Sequence, residues 1–559
     1  MKKMLIILAI FSIIACNNKK ENNMDAEFKT YLDKLETQLS IAYNKSTEAY
    51  FNASITGKDE DWKLSSAKEM EMNALMSDTK TFKELKKYKE SNQIQNDTLK
   101  RALTVLYNNY LSKQIDTNIL NDMNKMGADV EKKFSNFRAN INGKKITDNE
   151  IEDILKREKD SKKLEYAWKA HKEVGNVVAS DIISLVKKRN EAARKLGFKN
   201  FHEMNITLSE QNPDELLKFF DELDNLTRDA FKNVKIEIDN KLSKEYNISA
   251  DQIMPWHYQN RYFQEAPKIY DLDLDTYYHD KNILNLTETY YKNLGHPIDD
   301  MVKKSDLFEK PGKNQHAYCI DIDRNKNDIR VVANITPTNK WMETMLHEYG
   351  HALYQKYMNQ QLPWILKQPA HTFATEGIAM LFGRFATNSE WMKDNLSLSN
   401  EEASKISVDC HKTMRLQQLV FSRWVQVVYR FEKEMYSNPD QDLNKLWWDL
   451  VEKYQKMKRP EGRNSPDWAT KIHIATFPCY YHNYLLGEIF ASQFYTYINE
   501  KILKNSAGSD QSWNNKKEVA KFLEENVYKV GNLYFWDDMI KKATGEKLTP
   551  KYYAKQFVN

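Results

Sequence analysis

Apolar residues along this chain recur every three to four positions over long stretches. Residues 24–52, 149–196, 214–244 and 403–436 carry Leu, Ile, Phe and Tyr at that spacing, the period of a helix that buries one face. Clean alternation of apolar and polar positions is scarce. Its best example is Ala317 to Asp323 with Ile329 to Thr336, joined by the polar turn Arg324-Asn325-Lys326-Asn327-Asp328, which predicts a β-hairpin. Directly after it, Trp341, Met342, Met345, Leu346, Tyr349, Ala352, Leu353 and Tyr357 return to helical spacing, with no proline before Pro363. The pattern predicts a mainly α fold with a small hairpin beside one helix.

Composition sharpens the picture modestly. The 559 residues contain only 15 Gly and 13 Pro, and no Gly/Ser or Pro-rich linker, repeat or low-complexity run divides them. One large domain over 25–559, in two lobes, is the expectation. The 83 basic and 79 acidic residues leave a net charge of +4 and are interspersed, so the chain carries no nucleic-acid footprint.

The N-terminus looks like a targeting signal. Lys2 and Lys3 precede an apolar run from Met4 to Ala15, too short to span a bilayer, and Ile13-Ile14-Ala15-Cys16 resembles a bacterial lipobox. Cleavage of residues 1–16 as a lipoprotein signal would leave Cys16 lipidated, with 17–24 as a polar tether, and would place the chain outside the cytoplasm on a lipid anchor. Cys319, Cys410 and Cys479 remain, an odd and widely spaced set that argues against a disulfide framework.

The chemistry is concentrated in His347-Glu348-Tyr349-Gly350-His351. Positions i and i+4 share a helix face, so both imidazoles can ligate one zinc ion while Glu348 leans toward the metal position as a general base. Downstream, His371-Thr372-Phe373-Ala374-Thr375-Glu376-Gly377-Ile378-Ala379-Met380-Leu381 predicts a second helix, apolar enough to be buried yet bearing one carboxylate. A buried Glu needs a partner. The loop around Pro363 and Pro369 would bring Glu376 to the open side of the histidines, completing a His2Glu catalytic zinc set. His371 precedes that helix and is expected to be a loop histidine or to support a ligand.

Further motifs widen the match. Tyr166-Ala167-Trp168 with Gly175, Asn190-Glu191-Ala192-Ala193-Arg194, Trp447-Trp448, Lys453-Tyr454-Gln455, Pro460, Arg463, Lys471-Ile472-His473-Ile474, Trp536 and Thr544-Gly545-Glu546 lie collinear with the zinc motif over residues 160 to 559. In these the chain resembles the angiotensin-converting-enzyme family of zinc peptidyl-dipeptidases. The resemblance implies a large helical zinc-peptidase (gluzincin) fold with a deep central channel, one Zn2+ per chain, and oligopeptide substrates shortened from the C-terminus two residues at a time.

Individual roles follow from the same resemblance. His316 and Ala317 are similar to the family's His-Ala on the edge strand that pairs with the peptide backbone. His473 and Tyr484 are similar to the pair that stabilises the oxyanion, and Lys471 and Tyr481 to the pair that holds the terminal carboxylate. This chain carries one residue more between His473 and the tyrosines than the family pattern, so Tyr480 and Tyr481 can exchange roles with Tyr484. Asn483 stands where many members place a chloride-binding arginine, which makes chloride dependence doubtful, and Met380 stands where a carboxylate follows the third ligand by four residues. An endo-acting oligopeptidase like the thimet-oligopeptidase family is the alternative, and it would have no need of Lys471.

Overall fold

The computed structural model describes residues 23–506 and 510–558. The lipobox, Cys16 and most of the tether lie outside the described residues. The fold is mainly α, with two small two-stranded sheets among the described residues.

The long apolar stretches become long helices. α1 spans Asn23–Thr56, while the stretch at 149–196 divides into α2 (Asp148–Arg157) and α3 (Ser161–Lys195). The break has a local cause. Glu158 accepts hydrogen bonds from the backbone N–H groups of Lys159 (2.8 Å) and Asp160 (3.0 Å), and Asp160 caps α3 through Lys162 N–H and Lys163 N–H. Acidic side chains that bond nearby backbone compete with helix continuation. α4 covers Pro213–Tyr246, with Pro213 in its first turn and Asn212 as its cap.

The hairpin forms from β1 (Tyr318–Asp323) and β2 (Asp328–Val332). Its second strand stops four residues earlier than alternation predicts. Past Val332 the backbone turns to another partner, with Ala333 N–H on Asp306 O and Ile335 N–H on Leu307 O. A further short hairpin, Ala139–Ile141 with Lys144–Ile146, had no clear alternation to announce it. α1 lies over the larger hairpin: Thr47 Oγ1 donates to Ile322 O at 3.1 Å, and the Tyr318 and Ser54 hydroxyls meet at 2.6 Å.

The elements that carry the histidine motif follow. α5 (Asn339–Lys356) is capped by Thr338, and α6 (Thr372–Gly383) by the His371 ring. The connection between them turns at Pro363 into a short 3-10 segment, Trp364–Leu366. These residues are buried against α1 and the helices Thr79–Ser91 and Asp97–Ser112, in a cluster with Phe28, Leu32, Leu103 and Leu106. Glu36 Oε1 accepts Ile365 N–H at 2.9 Å. The N-terminal helices therefore pin the loop that sets how α5 and α6 approach each other.

α7 (Asn400–Ser437) and α8 (His482–Tyr497) complete the core. α6 is wedged between α5 and α8 through glycines. A Cβ on Gly350 would lie 2.9 Å from Ala379 Cα, and one on Gly377 would lie 2.5 Å from the Phe490 ring and 3.0 Å from Gly487 O. Only bare backbone permits these approaches.

Candidate metal centre and active site

Helical spacing alone brings the two histidines of α5 together: His347 Nε2 and His351 Nε2 are 3.2 Å apart. Glu376 Oε2, from α6, lies 3.8 Å from each. His347, His351 and Glu376 are the one group among the described residues able to hold a metal ion. The His351 ring is oriented by a hydroxyl, since its Nδ1 sits 2.7 Å from Thr375 Oγ1 and can donate there, leaving Nε2 as the free lone pair.

The donor set fits zinc. Two nitrogens at about 2.0–2.1 Å from a tetrahedral Zn2+ stand about 3.3 Å apart, close to the observed spacing. Burial pushes His351 down to about 4, and burial with His351 and Lys340 nearby holds His347 well below its usual range. Both imidazoles are thus neutral ligands at neutral pH. Burial lifts Glu376 to about 7, with Glu488 adding to the effect. Two imidazole nitrogens facing each other beside a half-buried carboxylate suit a cation held between them.

Glu348 is 8% exposed. Burial raises its pKa to about 8, the Glu376 charge adds to this, and the Cys319 backbone N–H on β1 works against it. The hairpin therefore contacts the proposed base directly. Ala317, Cys319 and Asp321 line one side of a cavity of about 490 Å³ that His347, Glu348, His351 and Glu376 line on the other. β1 pairs only with β2 among the described residues, so its second edge faces this space.

A larger cavity of about 850 Å³ shares His347, Met380 and Tyr484 with the first and extends to Gln264, Lys471, His473 and Tyr481. Lys471 Nζ donates to Gln264 Oε1 at 2.7 Å. Its ammonium sits over the rings of Tyr262 (5.2 Å), Tyr481 (5.3 Å) and Trp424 (5.7 Å). Burial and Arg261 lower its pKa to about 8. His473 meets Tyr481 edge-on at 5.3 Å. Burial and Lys471 lower its pKa to about 4, and its Nδ1 has no hydrogen-bond partner among the described residues. Tyr484 packs edge-on against both Tyr480 and Tyr481 at 5.4 Å.

The family model for angiotensin-converting enzyme matches residues 22–552. The chain belongs to the angiotensin-converting enzyme family. Among curated relatives, the angiotensin-converting enzyme of Theromyzon tessulatum is 22% identical over 95% of this chain and 90% of its own length. That of Rattus norvegicus is also 22% identical, over 96% of this chain and 42% of its own length. A Caenorhabditis elegans relative, 20% identical over 58% of this chain, is named an inactive angiotensin-converting enzyme-related protein. Because this zinc-metallopeptidase family includes a relative named inactive, activity depends on which site residues a chain carries.

Against the family pattern, the site residues fall into distinct places. His347, Glu348, His351, Glu376 and Tyr484 share one cavity, and His473, Lys471 and Tyr481 line the space that continues from it. Ala317 lines the smaller cavity one residue before β1, whereas His316 is exposed, its N–H bonded to Asn314 Oδ1 at 3.0 Å. Tyr480 points toward Thr372, with the two hydroxyls 3.2 Å apart. Asn483 is buried and accepts from Gln211 Nε2 at 3.0 Å, while Gln211 Oε1 lies 2.7 Å from His482 Nε2. His371 is the cap of α6 and bonds Ser209 O at 2.9 Å.

Sequence reasoning missed Gln264 and Thr375. Gln264 is 207 positions from Lys471, so no local spacing could link them. Thr375 had a signal, being a hydroxyl next to the third ligand on an apolar helix.

Proposed function

We propose that this protein is a zinc-dependent peptidyl-dipeptidase that releases dipeptides from the C-terminus of oligopeptides. The observation carrying the reading is the Lys471–Gln264 pair, an ammonium and an amide lining the larger cavity, which shares His347 and Tyr484 with the smaller cavity that His347, His351 and Glu376 line. A cation at that point fixes where a free terminal carboxylate sits, and so how far from the end the scissile bond lies.

Zinc, when bound, supplies a Lewis acid that polarises the carbonyl and activates water. His347, His351 and Glu376 hold it, and Thr375 keeps the His351 ring turned to it. Glu348 accepts a proton from the attacking water on its carboxylate and passes it to the leaving amine. Its place next to His347, on the cavity that the three ligands line, puts it within reach of both the water and the leaving amine. Tyr484 and His473 donate hydrogen bonds to the carbonyl oxygen as it gains charge, interactions stronger in the transition state than in the substrate. Ala317 and the open edge of β1 pair with the peptide backbone.

The decisive experiment is mass spectrometry of products from a pool of free-acid oligopeptides, with and without a chelator. Sequential loss of dipeptides from the C-terminus, abolished by chelation, is expected. Internal cleavage that ignores the distance to the terminus overturns the exopeptidase reading and favours an endo-acting oligopeptidase.

We infer also that Cys16 is lipidated and holds the enzyme on the extracytoplasmic side of a bacterial membrane, from Lys2, Lys3, the apolar run and the lipobox-like Ile13 to Cys16. The mass of the mature N-terminal peptide tests this, and a chain retaining Met1 overturns it.

A further inference from the structure

Glu265 follows Gln264 directly and lines the same cavity. The other acidic groups of that wall are committed. Glu488 is paired with Arg384, Glu343 lies 3.4 Å from Lys340, Asp275 accepts Asn339 N–H at 2.8 Å, and Asp273 accepts Asp275 N–H at 3.2 Å. Glu265 has no hydrogen bond or ion pair of its own among the described residues and is exposed to the cavity.

The backbone presenting it is fixed. Gln455 Nε2 donates to the carbonyls of Tyr262 (3.1 Å) and Phe263 (2.9 Å), Asn260 Oδ1 accepts Gln264 N–H at 3.2 Å, and Ala266 N–H donates to Gln417 Oε1 at 2.9 Å. The Glu265 charge acts on both Lys471 and Tyr481, so it stands close to the position assigned to a terminal carboxylate. Two more wall residues complement it. Phe421 is half-buried, and Gln418, 6% exposed, has an amide oxygen without a hydrogen-bond partner among the described residues.

We propose that Glu265 makes this cavity selective for peptides whose C-terminal residue has a basic side chain, its methylenes on Phe421 and its head group between the Glu265 carboxylate and the Gln418 amide oxygen. The proposal rests on the reading of Lys471 and Gln264 as the clamp for the terminal carboxylate. With that carboxylate matched to Lys471, the Glu265 charge is left for the side chain beside it. A cationic side chain gains an acceptor for its N–H donors, a neutral one gains nothing, and an acidic one is repelled.

Three free-acid peptides identical except for a last residue of arginine, norleucine or glutamate test this, with kcat/KM measured for the native enzyme and Glu265→Gln. The native enzyme should rank them in that order, with steps of about three- to five-fold, the upper part of the range of a part-exposed charge pair. Glu265→Gln should bring arginine and norleucine within about two-fold, and about 0.5 M salt should narrow the native preference. A native enzyme indifferent to the three, or an arginine preference undiminished in Glu265→Gln, overturns the proposal while leaving the peptidase reading intact. Failure to release a dipeptide from any of the three overturns that reading, and this proposal with it.

Discussion

Thr375 Oγ1 sits 2.7 Å from His351 Nδ1, so the residue before the third ligand, Glu376, fixes how the second imidazole faces the metal position. The two ligand helices are thereby coupled twice, once through the metal position and once through this hydrogen bond. Thr375→Val removes the acceptor at nearly constant volume. Zinc affinity should fall about 10- to 100-fold, the usual cost of losing a bond that orients a ligand, with the melting temperature of the metal-free protein little changed. Competition against a chelator measures it, and unaltered affinity would show the hydroxyl to be incidental.

Removing the base and removing a ligand should separate cleanly. Glu348→Gln is expected to keep stoichiometric zinc and lose about 10²-fold or more in kcat. Glu376→Ala should lose the metal itself. Metal analysis of both variants decides this, and full zinc in the Glu376 variant would remove that residue from the ligand set.

Lys471→Ala should cost about 1.5–3 kcal/mol in kcat/KM on free-acid peptides, the scale of a charge-assisted bond in a partly dry site. Amidated peptides should be poor substrates of the native enzyme and lose little more in the variant. The pH dependence has a definite sign. The lysine must be charged to hold a carboxylate and its pKa is lowered to about 8, so kcat/KM on free acids should fall as pH rises through about 8. A profile that stays flat there, with equal losses on both substrate classes, would make Lys471 a structural lysine.

Chloride should matter little. Asn483 is occupied by Gln211, which is itself in contact with His482, a closed set of neutral groups that offers an anion no unpaired cation. Exchanging acetate for chloride at constant ionic strength should change activity less than about two-fold, whereas a rise of about tenfold would reveal an anion site elsewhere.

Gly377→Ala tests the packing that delivers Glu376. Its Cβ would press on the Phe490 ring and Gly487 O, an overpacking expected to cost about 1–3 kcal/mol. Thermal unfolding should report that loss, and zinc binding should weaken as α6 shifts. An unchanged melting temperature would mean that α8 yields without strain.

Much of this protein was legible in local pattern. The period of its apolar residues determined the helices, the alternation before α5 determined a hairpin, and the i, i+4 spacing placed two imidazoles on one face, because each of these depends on backbone geometry over a few residues. Side-chain competition with the backbone ended α2 at Glu158, and a bond to Asp306 ended β2 at Val332. Neither event shows in hydrophobic period. The rest was decided by tertiary structure. Glu376 reaches the histidines because Gly350 and Gly377 let three helices close on one another, and Gln264 meets Lys471 across 207 residues because the chain folds back on itself. Contacts between distant segments depend on how helices pack, which local spacing does not encode.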